Sequence, residues 1–120
     1  MTSAETTIAI ELEKVSAGYH SNETVLKDIN ISIPCSCFAT ILGPNGSGKS
    51  TLLRVINGWL KNKDGKIKIF GKDLKTLNNR ERSLAIGMVP QHIELPLPLT
   101  VKEIVTIGRT RALSLSLIHI

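Results

Sequence analysis

A chain of 120 residues, 42% hydrophobic and 21% charged, has room for one domain with a modest core and lies outside the disordered and collagen-like ranges. No apolar run reaches the ~18–20 residues that span a bilayer. The start, Met1-Thr2-Ser3-Ala4-Glu5, has neither a basic nor an apolar leader region, so a cytoplasmic setting is expected rather than export. The net charge of +5 draws on Lys61, Lys63, Lys66, Lys68, Lys72 and Lys75, but with 3% aromatic residues there is no platform for stacked bases, and no nucleic-acid partner is expected.

In chain order, Ile8, Ile10 and Leu12 alternate with Glu11 and Glu13, which predicts a half-buried strand ending near Ala17-Gly18. Ile29, Ile31 and Ile33 repeat the pattern, and Pro34 closes this second strand. Cys35 and Cys37 are too few for a zinc site and read as two small side chains in a reduced protein, in the passage from turn to strand. Phe38-Ala39-Thr40-Ile41-Leu42 is apolar on both faces and predicts a strand covered on two sides.

Gly43-Pro44-Asn45-Gly46-Ser47-Gly48-Lys49-Ser50 then matches G-x-x-x-x-G-K-[ST] at every fixed position. Glycines let the backbone wrap close to phosphates, successive N–H groups form a nest, and the following helix adds about half a positive charge at its N-terminus. In this pattern Lys49 is the point charge for β- and γ-phosphates, Ser50 offers its hydroxyl to Mg²⁺, and Thr51 reaches the α-phosphate. The helix is expected from Lys49 to about Asn57, with Leu52, Leu53 and Ile56 on one face and Gly58 left-handed at its end.

Lys66 to Phe70 alternates as a strand with one wet face, and Lys72 to Ser83 reads as loop and a short helix. Ala85-Ile86-Gly87-Met88-Val89 predicts another buried strand, stopped by Pro90. Thr100-Val101-Lys102-Glu103 is a capping box opening a helix that carries Val101, Ile104, Val105 and Gly108. The tail from Ala112 to Ile120 alternates Leu with Ser and is uncharged, an aggregation hazard where exposed. An antiparallel start followed by strand–helix–strand–helix predicts an α/β class.

The run Ile41 to Leu53 resembles the ATP-binding subunits of ABC transporters nearly letter for letter. That resemblance implies a P-loop NTPase core of the ABC ATPase type with an N-terminal antiparallel β subdomain, truncated here. It also implies that ATP is bound by Gly43, Pro44, Asn45, Gly46, Ser47, Gly48, Lys49, Ser50 and Thr51. Tyr19 matches the family's aromatic residue that stacks on adenine, and base stacking is worth ~1–3 kcal/mol. Met88-Val89-Pro90-Gln91 resembles the Q-loop, in which Gln91 reaches Mg²⁺ and the attacking water, so Gln91 is the candidate catalytic residue and, with Ser50, a metal ligand.

Leu99 to Arg109 looks most like importers of iron–siderophore complexes, cobalamin or metal ions. The implied partners are a transmembrane permease subunit and a second ATP-binding subunit in a homodimer, on the inner face of the plasma membrane. Cys35-Ser36-Cys37 departs from the Gly-Glu or Gly-Lys pair with which the family usually enters this turn. The signature motif, the apolar strand ending in Asp-Glu and the switch histidine do not occur in this sequence. Residues 1–111 therefore read as the N-terminal part of such a domain, and 112–120 as a tail foreign to the family, from a truncated or shifted reading frame. The whole subunit would hydrolyse ATP; this chain would bind Mg-ATP and hydrolyse it slowly or not at all. The rival readings are an ABC-type ATPase of DNA repair or translation, and an inert truncated fragment.

Overall fold

Alternating isoleucines and leucines build one four-stranded antiparallel sheet in the computed structural model, which describes residues 6–92, 94 and 97–110. Its strands are β1 (Ile8–Ala17), β2 (Leu26–Pro34), β3 (Asp64–Ile69) and β4 (Lys72–Asp73), in the order β2-β1-β3-β4. A 3₁₀ turn (Leu74–Thr76) follows β4. The helices are α1 (Lys49–Ile56), α2 (Asn79–Ala85) and α3 (Val101–Thr110). The chain divides into two units, residues 1–86 and 87–120, and the sheet, α1 and α2 all lie in the first.

Strict alternation does not survive the middle of β1. Leu12 and Val15, three apart, are both buried, because a register shift lies between them against β2 and Lys14 takes φ +50°. Such a bulge inserts a residue and resets which side chains face inward. The amides near the irregularity find side-chain acceptors, Lys14 N donating to Asn30 Oδ1 at 3.0 Å and Asp28 N to Ser16 Oγ at 3.1 Å. On β3, Ile67 and Ile69 enter the core while Lys66 stays exposed and Lys68 pairs with Glu13 across the sheet at 3.1 Å. The wet-face reading of this lysine-rich strand is borne out.

The core joins Leu12, Val15, Ala17 and Leu26 of the first hairpin, Ile67 and Ile69 of β3, and Leu74 to Leu52, Val55 and Ile56 of α1. Burying each leucine-sized side chain contributes about 1.5–3 kcal/mol, so the sheet and α1 hold each other. The buried face of α1 is Thr51, Leu52, Val55 and Ile56; Leu53, expected inside, is 45% exposed, being turned about 100° from Leu52 and away from Val55. Gly58 does take the left-handed conformation, φ +79°. Gly58 N donates to Val55 O at 3.1 Å and Trp59 N to Arg54 O at 2.9 Å, a Schellman ending.

Two predicted strands are not formed. Of the two, residues 38–42 pair with no described strand, and of residues 85–89 Ala85 ends α2 and the rest pair with none; Phe38, Leu42 and Val89 are 96%, 88% and 91% exposed. A run apolar on both faces becomes a strand only between ladder neighbours and under covering layers, and among the described residues none flanks either segment. In the second unit the Thr100–Glu103 capping box forms: Glu103 Oε2 accepts from Thr100 N at 2.6 Å, and Glu103 N donates to Thr100 Oγ1 at 3.2 Å. The apolar side chains of α3, Val101, Ile104, Val105 and Ile107, are exposed. The reading of residues 112–120 falls outside the described residues.

Candidate functional site: the phosphate loop

The loop reaches α1 through left-handed glycines, Gly46 at φ +84° and Gly48 at φ +96°. At Gly48 a β-carbon would also stand 3.1 Å from Leu26 Cδ2, and at Gly43 it would come within 2.7 Å of Ser47 Oγ. Backbone conformation thus favours glycine at 46 and 48, and Gly48 is also tightly approached. Ser47 N donates to Pro44 O at 3.2 Å and tightens the turn. The first bond beyond it is Leu52 N to Gly48 O at 2.9 Å, so the amides of Lys49, Ser50 and Thr51 precede the helical ladder.

These residues line a cavity of about 280 Å³, completed by Val25 and Asn45. Among the described residues Lys49 is its only charged lining residue. A helix N-terminus adds positive potential, which makes the cavity suited to an anion. Its size fits a phosphate tail better than a whole nucleotide, since small-molecule sites usually run ~300–1,000 Å³. The Lys49 ammonium donates to Gly43 O, to Pro44 O at 2.7 Å and to Ser47 Oγ at 3.4 Å, so it stands over the loop itself. A larger cavity of about 430 Å³, between Gly58, Leu74 and Arg82, contains none of the expected site residues.

The structure brings Tyr19 to the same end of α1. Its hydroxyl lies 3.1 Å from Thr51 Oγ1 and accepts from Arg54 Nη1 at 2.8 Å. The Arg54 guanidinium carbon is 5.8 Å from the ring centroid. The hydrogen bond with Thr51 leads in holding the Tyr19 hydroxyl below its ordinary pKa of 10.0; the Arg54 hydrogen bond and charge help, against some burial and the Glu23 carboxylate. The turn after Tyr19 is tied down by Lys63, whose ammonium donates to His20 O at 2.5 Å, Ser21 O at 3.3 Å and Glu23 O.

Arg54 and Lys63 were not legible as site residues, since their partners lie 35 and about 40 positions away and no local pattern marks such contacts. Ser50 is exposed at the start of α1 and Thr51 is buried. Gln91 lies in the second unit, exposed just after Pro90.

The chain is similar to known proteins. The family described as ABC transporter matches the chain over residues 26–117. The petrobactin import ATP-binding protein FpuC of Bacillus anthracis is 38% identical over 90 residues, 75% of this chain and 33% of that protein. The manganese transport system ATP-binding protein MntB of Bacillus subtilis is 38% identical over 102 residues, 83% of this chain and 38% of that one. A solved ATP-binding subunit of an ABC transporter superposes with a TM-score of 0.77 at 27% identity, covering 90% of this chain and 45% of the other. The chain spans about a third of the length of these two curated relatives.

Proposed function

The chain belongs to the ABC transporter family, and from that premise we propose that it is the nucleotide-binding N-terminal part of an importer's ATP-binding subunit. The observation that supports this reading is the anion-suited cavity at the start of α1, lined by Lys49. The glycine cradle, the unladdered amides and the Lys49 ammonium suit a polyphosphate, and the hydroxyl of Ser50 suits a hard cation beside it.

On this reading the amides of Lys49, Ser50 and Thr51 bind phosphate oxygens, and Lys49 exchanges its loop carbonyls for the β- and γ-phosphates. Thr51, beside Tyr19, serves the α-phosphate end, and the ring of Tyr19 serves as the adenine platform. Ser50 would hold Mg²⁺, which would supply neutralising charge to the phosphates; Gln91 is the candidate second ligand and would orient the attacking water. Phosphoryl transfer then depends on positioning and charge stabilisation more than on covalent chemistry.

The names of the relatives favour an importer of iron chelates or metal ions. With that come a permease partner, a paired ATP-binding subunit and a place on the cytoplasmic face of the membrane. Among the described residues no helix is long and apolar enough to cross a membrane.

Titration of the chain with Mg-ATP tests the reading. A charged hydrogen bond contributes about 1.5–3 kcal/mol, so Lys49→Ala should weaken binding at least about tenfold. Equal affinity of Lys49→Ala and wild type would contradict it.

A further inference from the structure

We propose that Arg54 is a positioning residue for nucleotide binding: by clamping the Tyr19 hydroxyl against Thr51 it fixes the ring as a preset base platform coupled to the phosphate loop. The proposal rests on the reading of the loop as an ATP site and adds a residue outside the motif.

Three contacts carry it. Arg54 Nη1 donates to the Tyr19 hydroxyl at 2.8 Å, that hydroxyl lies 3.1 Å from Thr51 Oγ1, and the guanidinium carbon is 5.8 Å from the ring centroid. Thr51 is 5% exposed and adjoins Ser50, so one end of the phenol is anchored to the residue that follows the loop motif. The backbone of Arg54 is fixed, because the Schellman ending of α1 engages its carbonyl through Trp59 N at 2.9 Å and Leu60 N at 3.1 Å. On the other side Lys63 fixes the turn that follows Tyr19. Yet the ring remains 44% exposed, so it is pinned without being covered. That combination suits a platform: a solvated ring with its torsional freedom already removed loses less on binding than a free one. An arginine is suited to the task, because its planar fork both donates to the hydroxyl and lies near the ring.

Tyr19 is the only tyrosine, so its ultraviolet titration reports the clamp directly and without nucleotide. Arg54→Ala should raise the phenol midpoint toward its ordinary value, and Arg54→Lys should restore part of the shift. In binding, inorganic tripolyphosphate serves as a ligand that needs the loop but has no base. Arg54→Ala and Tyr19→Phe should each weaken ATP about two- to tenfold while leaving tripolyphosphate unchanged. The double variant should be no worse than either single, the non-additivity expected of one interaction.

A phenol midpoint unmoved by Arg54→Ala overturns the clamp. So does an equal loss of ATP and tripolyphosphate in Arg54→Ala, which would mark a role in folding only, and so does unchanged ATP affinity. Wild-type protein that binds neither ligand overturns the ATP-site reading and this proposal together, whereas binding of both with wild-type behaviour in Arg54→Ala overturns this proposal alone.

Discussion

A single hydroxyl, Ser50, and a single carboxylate, Glu103, stand in the first turns of α1 and α3. If the Ser50 hydroxyl holds the cation, Ser50→Ala should bind ATP as wild type does in chelator but lose the gain that Mg²⁺ gives. A magnesium-dependent affinity equal to wild type would count against that role. At α3 the roles are reversed, with the carboxylate accepting instead of a cation being held. The backbone amide of Thr100 leads in holding the Glu103 carboxyl below its ordinary pKa of 4.5, and the Thr100 hydroxyl adds to it. A depressed carboxylate stabilises the fold above its unfolded pKa and loses that contribution as pH falls through the folded one. The cap of α3 should therefore hold at neutral pH and fail only in acid. A carbon-detected NMR titration should give Glu103 a midpoint below 4.5 that Thr100→Val raises. A midpoint at or above the ordinary value would contradict the cap.

Among the elements, the hydrophobic pattern locates the strands well and their partners poorly. β1, β2 and β3 follow from alternation at Ile8–Leu12, Ile29–Ile33 and Lys66–Ile69, and α1 from the loop motif and Gly58. The bulge at Lys14 was not legible, because no residue type there demands φ +50°; it is imposed by pairing with β2. Residues 38–42 and 85–89 show the opposite failure, since an apolar run records a preference to be covered and says nothing of whether a neighbouring strand is at hand. The left-handed glycine turn before α1 was legible because the motif's spacing encodes backbone geometry. The clamp on Tyr19 was not, because it joins residues 35 apart. Packing gives a test at this scale. Leu12, 2% exposed, should cost about 2–5 kcal/mol on replacement by alanine, while Leu53, 45% exposed, should cost under about 1 kcal/mol. Denaturant melts of the two variants check the contrast, and similar losses would contradict the inward face assigned to α1.

For the whole molecule, the sheet and α1 make one core, and the phosphate loop is suspended between them. Leu26 of β2 lies beside Gly48, Val25 lines the cavity, and Tyr19 of the first hairpin reaches Thr51. Folding of the antiparallel sheet and formation of the anion site are therefore linked, and a ligand of the loop must stabilise the whole unit. By mass action a ligand at a hundred times its dissociation constant adds about 2.7 kcal/mol to the native state. The most direct measurement is a thermal melt followed through Trp59, the only tryptophan, with increasing Mg-ATP. The midpoint should climb steadily with ligand concentration in wild type, and Lys49→Ala should need at least about tenfold more Mg-ATP for the same rise. A cooperative wild-type melt that ignores Mg-ATP, or a Lys49→Ala melt that climbs equally, would contradict the nucleotide site.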